Sequence, residues 1–397
     1  MKRYKTMISL GLRCSVAVSV CVALSFLSCA EQALVSESVV AVSLDNEQER
    51  IADTTLFSSM REVRLATLPN CAIKVIDKVL MADSTLYIMD ASQKKVFLFG
   101  FDGRHQGTIA DIGRGRGEYI NLIDVAVDRY RRELLLLVYP KGIMHYTLDG
   151  KFKHKDELDG FFTNICCDSA YYYLRRETFA NKEEARHSLM SVNKETGERR
   201  NLLKLGSERA PFCSMGGDDR LYDCGGRLFF TRYFDNNIYE LADGGATARY
   251  SVDLGSYAFP ESELKERFDC AELYLGAIKR HRIYAMTKLK VGRRYALMSS
   301  NLDNIVVFDT QTGRSIFTPS HLDRIYSTAI GLPCDYLPVS GTADKVSLVF
   351  PASAFTSVAR INAEHPKAMR KLPKHTLELV ASFSEEDNPL LLICTLK

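Results

Sequence analysis

Four glycines recur at a fixed interval of 47 residues: Gly103, Gly150, Gly197 and Gly244. Each closes a two-residue turn sequence, Thr-Gly at Gly197 and Asp-Gly at the others, with an apolar run before it. Asp-Gly is a strong hairpin signal, because both central positions of a type I′ turn need a positive φ. Strand-rich repeats of about 40–50 residues are typical of β-propeller blades. The interval therefore predicts an all-β fold made of repeated four-stranded sheets.

The same period locates the irregular parts of the chain. The next turn of this kind ends at Gly313, 69 residues after Gly244, and the intervening sequence predicts an amphipathic helix over 260–275. The sixth repeat has predicted strands at 346–350 and 390–396 and predicted helices at 351–360 and 376–383. It lacks an outer strand, which the strand predicted at 63–68 can supply. We therefore predict a six-bladed β-propeller over residues 61–397, with an N-terminal strand closing the last blade and short helical insertions.

Residues 1–28 have the features of an export signal. Lys2, Arg3 and Lys5 precede an apolar stretch over 15–27, which is too short to span a membrane. Cys29 follows Ser28 as in a bacterial lipoprotein signal, whose cysteine is lipidated after cleavage. A plain signal peptide cut elsewhere is the alternative. The polar, weakly patterned residues 29–60 predict a flexible tether.

The bulk charge and the cysteines exclude some classes of function. Residues 1–28 hold four Lys or Arg and no acidic residue, so the formal net charge of +3 becomes −1 without them. No global positive field that would attract nucleic acid remains, and we expect no nucleic-acid partner. The eight cysteines after Cys29 include no C-x-x-C pair. They predict buried free thiols rather than a zinc site.

Several segments of the predicted blades carry a family resemblance. They are LYIMD at 86–90, KVFLF at 95–99, IGRGRGEY at 112–119, DNNIY at 235–239 and EDNPL at 386–390. With these, residues 60–397 resemble the six-bladed β-propeller lipoproteins abundant in Bacteroidetes, which are related in architecture to NHL-type propellers. The family's glycine loop usually has proline where this chain has Arg116. The resemblance implies export, lipid anchoring and a non-catalytic or unassigned role.

The predicted turns also divide the propeller into two faces. In a four-stranded blade the Asp-Gly turns join strands three and four, so the loops between strands two and three and the crossovers to the next blade lie on the opposite face. Four elaborated segments fall on that crossover-loop face: 113–119, 176–186, 260–275 and 351–389. Because elaborated loops on a rigid scaffold commonly carry binding sites, we predict that this face is the recognition surface.

The glycine-rich segment on this face suggests candidate ligand-binding residues. Gly113-x-Gly115-x-Gly117 is not a phosphate-binding loop, because a strand follows it instead of a helix N-terminus and no G-K-[ST] is present. It is more typical of a tight crossover that needs positive φ. The candidate ligand-binding residues are the side chains that this loop carries and that we expect near the mouth of the central channel: Arg114, Arg116, Glu118 and Tyr119.

The sequence offers no strong metal or catalytic motif. The acidic run 385–388 could hold a cation through oxygen ligands, but a solvated loop is the more common outcome. The eight histidines form no H-x-x-x-H or H-E-x-x-H pattern, so a histidine-bound zinc requires residues distant in the chain to converge. We predict no metal and no cofactor. A G-x-S-x-G nucleophile elbow is also absent.

These observations favour a monomeric cell-envelope lipoprotein that is non-catalytic and binds a glycan, a peptide or a partner protein through the crossover-loop face. Its location would be the periplasmic or cell-surface side of the outer membrane, with membrane contact through the Cys29 lipid only. The alternative is a propeller hydrolase or lyase with a site at the central channel mouth. A purely structural subunit of an envelope complex is a third possibility.

Overall fold

Antiparallel strands that are neighbours in the sequence make up most of the protein. The structure, a computed structural model, describes residues 39–44, 46–48, 51–140, 142–176, 186–204, 220–260, 270–318, 325–364 and 372–397. Two strands and one helical turn come before the repeats: β1 (Val40–Ser43), α1 (Asp53–Leu56) and β2 (Phe57–Arg64).

Five successive meanders of four antiparallel strands follow. The first two contain β3 (Lys78–Ala82), β4 (Thr85–Asp90), β5 (Lys95–Gly100) and β6 (His105–Ile109), then β7 (Asn121–Asp128), β8 (Glu133–Tyr139), β9 (Gly142–Thr147) and β10 (Phe152–Glu157). The next two contain β11 (Phe162–Cys167), β12 (Tyr171–Arg176), β13 (His187–Asn193) and β14 (Arg199–Lys204), then β15 (Leu221–Cys224), β16 (Arg227–Phe230), β17 (Asn237–Ala242) and β18 (Gly245–Asp253). After the short helix α2 (Cys270–Lys279), the fifth contains β19 (Met286–Val291), β20 (Tyr295–Ser300), β21 (Ile305–Asp309) and β22 (Ser315–Phe317).

The last part of the chain is more elaborate. It contains β23 (Ile325–Ser327), β24 (Leu332–Ser340), β25 (Lys345–Phe350), α3 (Ala352–Glu364), α4 (Lys374–Ser382) and β26 (Leu390–Leu396). Its sheet has the order β24-β25-β26-β2, so the N-terminal strand β2 is its outermost member, as the sequence predicted. A short parallel pairing of β24 with β3 joins this sheet to the first meander.

The first strands of successive sheets are in contact. β3 contacts β7, β7 contacts β11, β11 contacts β15, β15 contacts β19, β19 contacts β24, and β24 contacts β3. Apolar clusters fill the spaces between neighbouring sheets, as where Leu98 of β5 packs with Leu136 and Tyr146 of the next meander. Strands such as β8 are buried on both faces because each sheet is covered by two neighbours. The organisation is β-propeller-like.

Buried ion pairs connect the sheets as well. Lys78 Nζ of β3 lies 2.9 Å from Asp124 Oδ1 of β7, and both side chains are less than a tenth exposed. The other carboxylate oxygen of Asp124 accepts the N–H of Ile165 in β11 at 2.8 Å. Asp128 and Lys194 form a second pair at 2.5 Å with both side chains fully buried. These groups fix the relative positions of the first three meanders, because a buried charge is costly without its partner.

The positions of the predicted turns are confirmed. Positive φ at both residues, as a type I′ turn needs, occurs at Asp243-Gly244 but not at Asp102-Gly103 or Asp149-Gly150. Each of the four repeating glycines lies in the connection between the third and fourth strands of its meander, and so does Gly313. Their φ angles fall between 72° and 84°, which only glycine adopts without strain. The helices predicted over 351–360 and 376–383 correspond to α3 and α4. Of the helix predicted over 260–275, residues 261–269 lie outside the described residues. α2 covers residues 270–275 of that prediction and ends later, at Lys279.

The prediction of a flexible tether over 29–60 needs correction for the part that the structure describes. β1 pairs in parallel with β18, and Ser315 Oγ of β22 donates a hydrogen bond to Ser43 O. The strand predicted at 63–68 begins earlier, at Phe57. Val42, Leu56 and Phe57 are buried, because apolar side chains in this otherwise polar segment cover apolar surface of the sheets.

Among the described cysteines, Cys71, Cys167, Cys224 and Cys394 are buried free thiols, in agreement with the prediction. No helix within the described ranges is long and apolar enough to cross a membrane.

Candidate functional site

The glycine-rich crossover between β6 and β7 is a closed, rigid loop. The N–H of Tyr119 donates to Asp111 O at 2.9 Å, and the N–H of Gly113 donates to Tyr119 O at 3.0 Å. Two tyrosines fasten the loop to the sheets: Tyr119 Oη donates to Lys94 O at 2.7 Å, and Tyr146 Oη donates to Asp111 Oδ2 at 2.9 Å. Burial raises the pKa of Tyr119, so its phenol stays protonated and keeps this bond.

The glycines of the loop are required for two different reasons. Gly117 has a φ of 85°, and a Cβ there would lie 3.1 Å from the ring of Phe152. Gly113 has ordinary backbone angles, but a Cβ there would overlap the carboxylate of Glu118. That carboxylate folds back into the loop, where its Oε2 accepts the N–H of Gly115 at 2.7 Å. The expected need for positive φ therefore holds at Gly117, whereas Gly113 makes room for Glu118.

A cavity of about 690 Å³ lies between this loop and the strand β10. It is lined by residues 113–118, Ile120, Pro140, residues 152–155 and Glu157. β10 is the outermost strand of its sheet. The cavity is therefore located at the outer edge of the second meander. The candidate ligand-binding residues were predicted to lie near the mouth of the central channel instead.

The cavity lining is predominantly cationic. Arg114 and Arg116 are exposed, and within the described part of the chain neither guanidinium has a hydrogen bond or an ion pair. Lys153 is paired with Glu133, and Lys155 Nζ lies 3.0 Å from Glu157 Oε1. Guanidinium groups bind carboxylate and phosphate oxygens in a bidentate fashion. The arrangement can therefore hold an anionic group.

The structure separates the predicted site residues. Arg114, Arg116 and Glu118 line the cavity together, with Glu118 shaping the loop. Tyr119 needs correction, because its side chain is fully buried and anchors the loop instead of facing a ligand. Cys29 lies outside the described residues.

Sequence reasoning missed a group of histidines and carboxylates on β8, β9 and β10. His145 of β9 and His154 of β10 are cross-strand partners, and their rings stack at 4.0 Å between centroids with 13° between planes. Ligand atoms of His145, His154 and Asp156 lie within 4.8 Å of one another, which makes them the residues that could hold a metal. The hairpin turn could have indicated this, because the two histidines lie at equal distances on either side of Asp149-Gly150.

Glu133 supports this group from β8. His145 Nδ1 lies 2.8 Å from Glu133 Oε2, and Lys153 Nζ donates to Glu133 Oε1. Burial alone would raise the pKa of Glu133, but the hydrogen bonds from Lys153 and His145 outweigh it and lower the pKa. Glu133 is therefore a carboxylate at neutral pH and accepts a proton-bearing Nδ1. Burial and the neighbouring His145 lower the pKa of His154.

Several buried polar side chains elsewhere in the sheets are paired within the protein. Lys78 pairs with Asp124, and Arg175 Nη1 donates to Asn164 Oδ1 at 3.1 Å. Lys290 is fully buried and its Nζ donates to Val339 O at 2.8 Å; burial lowers its pKa. These groups serve the packing of the sheets.

Comparisons with known proteins identify solved structures that have a similar fold. The chain is similar to the crystal structure of an exported-protein candidate from Bacteroides fragilis, with 15% identity, a TM-score of 0.73, and coverage of 91% of this chain and 100% of that chain. It is also similar to a member of the DUF4221 family from Bacteroides vulgatus, with 11% identity, a TM-score of 0.51, and coverage of 86% and 97%. At these identities the likeness concerns the fold alone.

No curated protein sequence matches the chain. A family model described as "Domain of unknown function (DUF4934)" matches residues 37–395, which is most of the chain, and the protein therefore belongs to the DUF4934 family.

Proposed function

We propose that this protein is an exported, six-bladed β-propeller that binds a carboxylate- or phosphate-bearing ligand through its crossover-loop face and catalyses no reaction of its own. The observation that carries the proposal is the cavity beside the 113–118 loop, with two guanidinium groups that no described side chain neutralises. An acidic glycan, an acidic peptide segment or an acidic surface of a partner protein has the complementary chemistry.

The closed series of contacts among the first strands supports the six-bladed arrangement. Those contacts run through five meanders and the last sheet, and return from β24 to β3. Such closure leaves the blades with short, protected edges, which lets the loops at one end of the strands vary without loss of the scaffold.

The internal pairing of the first strands favours binding over catalysis at a central channel. A hydrolase or lyase site there needs a carboxylate or imidazole available to substrate. The described carboxylate of Asp124 is instead engaged by Lys78 and by the N–H of Ile165. Arg114 and Arg116, which have no ion-pair partner among the described residues, lie at the outer cavity instead.

The charge of the cavity defines the test. Isothermal titration with an oligogalacturonide and with a short poly-glutamate peptide, each against its neutral ester or amide, measures recognition of carboxylates. We expect Arg114→Gln with Arg116→Gln to weaken binding of the preferred probe at least 10-fold. The proposal fails if binding is unchanged in this double variant, or if the neutral probes bind equally well.

A matched control removes the same charge from the opposite face. Arg104 and Arg132 lie at turns on that face, are highly exposed, and pair with Asp102 and Asp83. The double variant Arg104→Gln with Arg132→Gln should bind the probe as the wild type does. If both double variants lost the same amount of probe affinity, the loss would reflect a nonspecific charge effect and not a site on the crossover-loop face.

Export and anchoring through Cys29 belong to the same proposal. Because β1 is packed against β18, we propose a shorter tether, over residues 29–39. We expect the chain to incorporate radiolabelled fatty acid in its own host and Cys29→Ala to abolish incorporation. Identical labelling of Cys29→Ala would reject the anchor without affecting the cavity.

A further inference from the structure

We propose that His145, His154 and Asp156 form a binding site for a divalent transition-metal ion, with Zn²⁺ the best match, and that Glu133 orients His145 within it. His154 also lines the cavity beside the 113–118 loop, but metal binding is measured without the anionic probes, so either proposal can fail alone.

The imidazole of His145 is prepared for coordination. Its side chain is fully buried, and Nδ1 is engaged by the carboxylate of Glu133 at 2.8 Å. A proton on Nδ1 satisfies that contact and leaves the Nε2 lone pair available. Histidine ligands of metals commonly have such a carboxylate on their second nitrogen, which fixes the tautomer and the ring orientation.

Nε2 of His145 lacks the partner that a buried nitrogen normally has. It is buried and accepts or donates no hydrogen bond in the described structure. Asp156 Oδ2 lies 3.2 Å away but outside hydrogen-bond geometry. A lone pair directed near a carboxylate oxygen is unfavourable unless a cation lies between them. The distance is close to the separation of two ligand atoms around a tetrahedral Zn²⁺ with bonds of about 2.0–2.2 Å.

The hairpin places the third ligand on the same face. His154 is the cross-strand partner of His145, and Asp156 lies two residues farther along β10. A register shift between Phe152 and His154 makes room for Lys153, whose ammonium group contacts Glu133. Cross-strand partners and residues two apart share a face of a sheet, so the register brings all three ligands together.

The exposure of the ligands suits reversible binding. The side chains of His154 and Asp156 are 48% and 45% exposed, so an ion has access and His154 can rotate out of its stacked position toward it. Two imidazoles with one carboxylate match Zn²⁺ and similar ions. They do not match Mg²⁺ or Ca²⁺, which prefer oxygen ligands.

The test is metal binding by the full exported chain after removal of metal with EDTA. We expect isothermal titration to give one Zn²⁺ per chain and the melting temperature to rise with Zn²⁺. Co²⁺ should give visible absorption bands at about 500–700 nm, as in four- or five-coordinate sites. Mg²⁺ should give none of these effects.

The half-exposed ligands give the informative variants, because changes at buried His145 could prevent folding. His154→Gln and Asp156→Asn should each weaken Zn²⁺ binding at least 100-fold, and Glu133→Gln should weaken it about 10- to 100-fold. Circular dichroism and melting in EDTA verify that each variant is folded.

His375 provides the matched control. It is half-exposed and its Nε2 lies 2.7 Å from Glu62 Oε2, so it is also a surface histidine beside a carboxylate. His375→Gln should bind Zn²⁺ as the wild type does. The site is rejected if folded His154→Gln and Asp156→Asn retain wild-type affinity. It is also rejected if the wild type takes up no Zn²⁺ or Co²⁺.

Discussion

Single side chains hold the turns and loops of this protein in position, and Asp90 at the end of β4 is one example. It is fully buried, and its carboxylate accepts the N–H groups of Lys74, Val75 and Gln93 and the hydroxyl of Ser92. Burial alone would raise the pKa of Asp90, but the hydrogen bonds lower it. Because the folded-state pKa is lowered, the ionised Asp90 stabilises the protein at pH values above the ordinary pKa of an aspartate. This stabilisation is lost as the pH falls through the lowered pKa.

We therefore expect Asp90→Asn to lower the free energy of unfolding by about 1–3 kcal/mol at pH 7, because an amide offers one acceptor oxygen where the carboxylate offers two. The difference between variant and wild type should shrink below about pH 4. Urea unfolding at both pH values measures it. Asp102→Asn, at an exposed turn, should have little effect at either pH. A loss for Asp90→Asn that is independent of pH would contradict the role of the charge.

At the scale of elements, the first strands are held together by ion pairs as well as by apolar packing. Lys78→Met should cost about 3–5 kcal/mol, because the buried Asp124 carboxylate loses its opposite charge. The double change Lys78→Met with Asp124→Leu should cost less than the two single changes combined. Thermal and urea unfolding measure both. Arg132→Met, which breaks the exposed pair with Asp83, should leave stability nearly unchanged. If the double variant lost as much free energy of unfolding as the two single variants together, the two residues would not be energetically coupled.

The strands and turns were largely predictable, whereas the site was predictable only in part. Turn glycines and apolar runs are local signals, so the meanders and the order of their strands could be predicted from them. The cavity depends on Phe152 and Lys153 in another strand, and the position of Tyr119 depends on the distant carbonyl of Lys94. The His145 and His154 pair required the hairpin register, which single motifs do not give.

The N-terminal segment is a further case in which tertiary contacts supply what a short local pattern lacks. Residues 40–43 read Val-Ala-Val-Ser, a run that is apolar enough for a strand but too short to indicate which sheet edge it joins. The exposed edge of β18 supplies the hydrogen-bond partners, and Val42 is fully buried there. The unpaired edge of β18 thus determines where this segment pairs, which its own sequence does not indicate.

At the scale of the whole molecule, the two N-terminal strands should differ in importance. Deletion up to residue 50 removes β1 and should leave a folded protein with a lower melting temperature. Deletion up to residue 65 also removes β2, exposes the edge of β26, and should give a protein that aggregates or is rapidly proteolysed. Circular dichroism, size-exclusion chromatography and limited proteolysis distinguish the two. A monomeric, protease-resistant product of the longer deletion would show that β2 is dispensable.

The pairing of β2 with β26 also has a consequence for the timing of folding during synthesis. Phe57 pairs with Leu396, and Lys397 N–H donates to Leu56 O at 3.0 Å, so β2 must wait until the distant β26 has been synthesised. Contacts between such distant positions form slowly. The sheet that contains both strands cannot be completed before that point. A stop codon just before β26 would therefore expose the edges of β2 and β25 together and leave a truncated product that never completes this sheet.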